Sequence, residues 1–130
     1  MKFIALLPRL TLAFFLLIAT TFSIADDTPR SGTFTGLSKH VTSGTATIVK
    51  TDSGYVIELG EDFFFDGAPD PKVALGKDGK YDPSTLIELL RENTGAQSYK
   101  VPASIDVSAY NEVYIWCEKF SVGLGVAALK

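Results

Sequence analysis

Few residues of this 130-residue chain could carry chemistry, and the two most telling ones, Cys117 and His40, are each the sole member of their type. A thiol with no partner in its own chain has two uses. It is a redox-active nucleophile if the sulfur is reachable and can shed its proton, or it is small apolar core filling. His40 lies between Lys39 and Val41, just ahead of Thr42-Ser43-Gly44. It serves either as an axial ligand or proton acceptor, or as a turn residue that hydrogen-bonds nearby backbone.

This inventory closes several routes. A blue-copper centre takes two histidines and a cysteine. Covalent haem attachment and iron–sulfur ligation need more cysteines than the chain has, and His40 with Cys117 alone leaves a zinc site incomplete. A non-covalent haem near His40 and Cys117, or a site shared between chains, stays open. Asp62, Asp66, Asp70, Asp78 and Asp82 fall around Gly67, but the Asp-x-Asp-x-Asp-Gly calcium loop is missing, so they read as solvated turn formers. Nothing selects a carboxylate pair for glycoside cleavage. A nucleophile elbow, a phosphate loop and a zinc-protease signature are all absent. The chain reads as a redox or binding module rather than an enzyme.

The elements that must position these residues are strands. Val113, Ile115 and Cys117 alternate with Tyr114 and Trp116, so the thiol shares one strand face with two aliphatic residues and the two aromatics take the reverse face. Along the chain apolar residues recur mostly with period two, broken at short intervals by Gly, Pro, Asn, Asp and Ser. Strands are expected over Thr33 to Leu37, Gly44 to Lys50, Tyr55 to Leu59, Lys72 to Leu75, Gln97 to Val101, Glu112 to Cys117 and Val122 to Leu129. Thr51-Asp52-Ser53-Gly54 makes a hairpin and Asp78-Gly79 a tight turn. Pro69 and Pro71 are expected to delay regular pairing until they have passed. Asp82 to Gly95 supports a strand plus a loop, or a short helix capped by Asp82 with Pro83 at its first position. The fold class implied is all-β: an antiparallel β-sandwich or flattened barrel of about seven to nine short strands.

Residues 1–25 read as a cleavable signal peptide, with Lys2 and Arg9 ahead of the apolar run Leu10 to Ile18 and small residues at Ser23-Ile24-Ala25. Residues 26–130 are then a single exported domain, periplasmic or extracellular; an uncleaved anchor is the alternative. No cysteine follows the apolar run, so lipoprotein acylation has no acceptor. Without Lys2 and Arg9 the chain keeps ten basic against fifteen acidic residues, a net charge of −5, and no basic run. Nucleic acid is therefore not an expected partner. A protein of the cell envelope is, whether a redox partner or a binding one.

Read in order, Gly32-Thr33-Phe34 with Gly36, His40 to Ala46, Gly67 to Gly76, Gly95 to Pro102, and Tyr110 to Phe120 with Leu124-Gly125 and Ala127 resemble the DM-thirteen, or "electron transfer", domain family. The resemblance covers nearly all of residues 26–130. It implies a small extracytoplasmic β-rich domain whose redox role rests on one cysteine, here Cys117. Where relatives favour Gly-Pro-Asp, this chain has Gly67-Ala68-Pro69-Asp70, and Tyr81 to Glu92 match less clearly. A non-catalytic envelope binding or adhesion module, with Cys117 as core, is the other reading.

Overall fold

The computed structural model describes residue 13, residues 15–19 and residues 27–130. The signal peptide expected over residues 1–25 falls on positions that, apart from those six, lie outside the described residues. The chain runs through β1 (Arg30–Gly36), β2 (Thr42–Ser43), β3 (Thr45–Thr51), β4 (Gly54–Leu59), β5 (Phe64–Phe65) and β6 (Pro71–Lys77). It continues through β7 (Lys80–Tyr81), β8 (Glu88–Leu89), β9 (Gln97–Lys100), β10 (Glu112–Cys117) and β11 (Val122–Ala128). Seven of these are four residues or longer. These seven are the strands that alternation picked out, because only they bury a complete inward row.

All strand pairings are antiparallel. One sheet runs in the order β7-β6-β10-β11-β1-β3-β4-β9, with β8 beside β7 on the same edge of β6, and β2 and β5 form a separate small pair. In place of the expected sandwich or flattened barrel, the strands form a half-barrel, one curled sheet rather than two separately bonded ones. The cause is β1. Its first half, Arg30 to Thr33, pairs with β3, and its second half, Phe34 to Gly36, pairs with β11. One strand thus bonds to both halves and the sheet bends about it, as corner strands do in orthogonal packings. Ile48, Ile57, Leu59 and Tyr99 from one half and Val73, Leu75, Val113, Ile115 and Leu124 from the other close a single apolar core.

The turns follow their residues. Asp78 and Gly79 take φ of 51° and 84° between β6 and β7, the left-handed pair that a two-residue hairpin demands. Gly54 closes the β3–β4 hairpin at φ 130°, where Thr51 Oγ1 donates to its carbonyl. Asp82 does cap a helical turn, accepting from Ser84 N with Pro83 at the first position, but that turn is a single 3-10 turn, Pro83–Thr85. Buried Thr85 ties it to β6 by exchanging hydrogen bonds with the backbone of Leu75, and β8 follows, so the segment is a turn, a two-residue strand and a loop. The expectation that Pro71 would precede regular pairing is corrected: Pro71 opens β6 opposite Cys117, and its carbonyl accepts from Leu90 N. A proline is tolerated there because the first strand residue need not donate.

Candidate functional site

Cys117 is the last residue of β10, flanked by Pro71 of β6 and Val122 of β11. Its side chain turns inward with Val113 and Ile115, as alternation demands, and the residue is 1 % exposed. Sγ donates a hydrogen bond of 3.1 Å to the carbonyl of Pro69. The thiol therefore sits between the apolar core and one peptide group of the segment that leads into β6.

That segment, Asp66 to Asp70, is a strap fastened at both ends. At one end Asp66 N donates to Val41 O at 3.0 Å, while its carboxylate accepts from Val41 N at 2.9 Å and pairs with His40 Nδ1 at 2.8 Å. The hydrogen bond from Val41 N–H, and then the contact with His40, hold the Asp66 carboxyl below its ordinary pKa. At the other end Asp70 O accepts from Glu118 N, and Lys72 Nζ lies 3.4 Å from Asp70 and 3.8 Å from Glu118. Between them Gly67 and Asp70 take φ of 96° and 54°. Ala68 and Pro69 thus sit in a reversal bounded by left-handed residues on both sides.

His40 leaves a tight reversal in which Ser38 and Lys39 take φ of 54° and 64°. Its ring lies 5.7 Å from that of Phe65, centre to centre. Sequence reasoning paired it with backbone; the structure pairs it with the Asp66 carboxylate, 26 positions away. No local pattern signals that partner, because Asp66 reads as any turn aspartate. Both sequence-chosen residues therefore meet the same short strap, His40 at Asp66 and Cys117 at Pro69. They do not meet each other as ligands: Sγ points into the core, and His40 lies on the outer side of the strap. Neither residue lines the grooves beside β7, the groove between Arg30 and Tyr55, or those bordered by Pro102 and by Gln97. As a joint pair they do not fit a haem. Among the described residues no three His, Cys, Asp or Glu side chains come together as a metal site.

The tryptophan–cysteine end of β10, the glycine-proline strap and the order of the strands make one pattern. A family model described as "Electron transfer DM13" matches residues 33–129. The chain belongs to this family. Searches of curated proteins and of solved structures gave no match. The DM13 match begins in β1 and ends just past β11, so it takes in the strap and the complete core. Three other turn aspartates of this DM13 domain accept hydrogen bonds that fix turns and loops: Asp62 from Thr45, Asp82 from Ser84 and Tyr110, and Asp106 from Ser108. Each carboxyl is held below its ordinary pKa by those donors.

Proposed function

We propose that the chain is an exported, non-enzymatic electron-transfer module of the DM13 type in which Cys117 is the redox group and the Asp66–Asp70 strap controls access to it. The observation that carries this reading is the position of the thiol, at the very end of a strand and bonded on its outer side to a single loop carbonyl, that of Pro69. A lone cysteine has one balanced two-electron exchange with an external disulfide. The Cys117 thiolate attacks one sulfur, a mixed disulfide forms, and the other sulfur leaves and takes up the proton that Cys117 lost. The partner is then an envelope protein bearing a disulfide, in the periplasm or outside the cell. In the closed form no external sulfur reaches Sγ, so exchange requires the strap to lift.

A second reading rests on the 1 % exposure of Cys117 among core residues: a structural thiol in a binding module. Alkylation of the folded protein separates the two. Under the first, modification proceeds in native buffer at a rate set by local opening and is accelerated by loosening the strap. Under the second, the thiol reacts only at the rate of global unfolding, and strap variants change nothing beyond their effect on stability.

A further inference from the structure

The outward face of the sheet around β10 carries an aromatic surface that the core does not use. Ala74 and Tyr114, cross-strand partners on β6 and β10, are 0 % and 4 % exposed yet lie outside the main apolar cluster. Above them Tyr81 stacks on Trp116 with ring centres 3.8 Å apart and planes 15° apart, and Tyr114 meets both rings edge-on. A sheet face turned to water is ordinarily polar. The floor here is pared to small residues: a Cβ on Gly76 would overlap Tyr114 Cε2, and one on Gly123 would lie 2.8 Å from Leu37 Cδ1. Covering Gly76 accounts for Tyr114. It does not account for a half-buried stack of two further rings.

Two open grooves flank that stack. One, of about 490 Å³, is bordered by Trp116, Tyr114, Leu37 and Ser38; the other, of about 620 Å³, by Tyr110, Pro83, Asp82 and Lys77. Tyr81 and Lys80 border both, so the two adjoin at β7. We propose that together they act as one trough that binds an extended, uncharged oligosaccharide. The ring faces of Trp116 and Tyr81 turned away from their mutual stack match the apolar faces of pyranose rings, and the rim supplies donors (Lys77, Lys80) and a carboxylate acceptor (Asp78) for hydroxyl groups. Lysine beside carboxylate disfavours a bare cation and a polyanion alike. The net charge of −3 argues against nucleic acid stacking on the same rings.

Trp116 is the only tryptophan in the chain, so fluorescence excited at the red edge, where tyrosine does not absorb, reports on this trough. Titration with cellohexaose, chitohexaose and xylohexaose is expected to give a saturable shift with at least one of them, at a Kd of about 1 mM or tighter. Tyr81→Ala, with its fold checked by circular dichroism, should weaken that binding about tenfold or more. If Tyr81→Ala does not fold, Lys80→Ala on the exposed rim serves instead and should weaken it several-fold. Leu89→Ala, on β8 at the far end of the same edge, should leave it unchanged. Silence from all three oligosaccharides overturns the proposal. So does a shift that survives the trough variants, or one elicited only by choline.

Discussion

Trp116 and Cys117 are neighbours on β10 whose surroundings have nothing in common. Cys117 points into the core at 1 % exposure, with its sulfur bonded to a loop carbonyl; Trp116 points outward into an open groove, stacked on Tyr81. One step along a strand reverses the face, so the thiol is sealed while the indole borders an open groove. The inner row contributes stability and the outer row contributes surface. Under the proposed redox role, reactivity at Cys117 depends on the strap above it rather than on the sheet.

The largest test of this contrast is truncation on either side of β10. Ile115→Ala, at a position with no exposure, should cost about 2–5 kcal/mol in urea unfolding, because it leaves a cavity at the centre of the sheet. Trp116→Ala should cost clearly less, about 1–2 kcal/mol, since its ring is only partly buried. Equal costs would mean that the outer row is a second core. Gly76→Ala comes next, at about 1–3 kcal/mol in the same assay. The added methyl would displace the Tyr114 ring and sit 2.5 Å from the Lys80 carbonyl, so it strikes the outer row while the inner row stays intact.

Smaller again is Asp66→Ala. It removes the acceptor for Val41 N–H and the partner of His40 at the far end of the strap. The alkylation rate of Cys117 in the folded protein should rise about three- to tenfold, with circular dichroism unchanged. An unchanged rate would show that the strap does not limit access. The least effect is expected from pH. Asp62, Asp66, Asp82 and Asp106 have folded pKa values below their unfolded ones. Their contribution is complete above the unfolded value of about 4 and is lost as pH falls through the lower folded values. Burial raises Tyr81, Tyr99 and Tyr114, so their contribution is complete below about pH 10 and lost as pH climbs past it. A Tm profile should therefore be flat between these limits and decline outside them.

How far these features were legible from the sequence differs from residue to residue. Val113, Ile115 and Cys117 were placed on one face by period-two spacing alone, since a strand has only two faces. Thr51 to Gly54 and Asp78-Gly79 were placed by turn chemistry, which is equally local. β2, β5 and β7 escaped notice because two residues carry no periodicity; β2 and β5 exist through one long-range pairing, and β7 is only the short return arm of the Asp78-Gly79 turn. The Asp82 cap was legible, but the length of what it caps was not, because Thr85 spends its hydroxyl on β6.

Sequence alone thus determined the all-β class, the strand face that the thiol shares with Val113 and Ile115, and the family, since strand alternation, turn residues and ordered motifs are local properties of the chain. Tertiary structure decided that β1 would bond to both halves and curl the sheet, that His40 would meet Asp66, that Pro69 would close over Sγ, and that Tyr81 would reach Trp116. Each of these joins residues far apart along the chain. Their energies come from packing and hydrogen bonds that exist only once the sheet has closed, and residue type at a single position does not encode them.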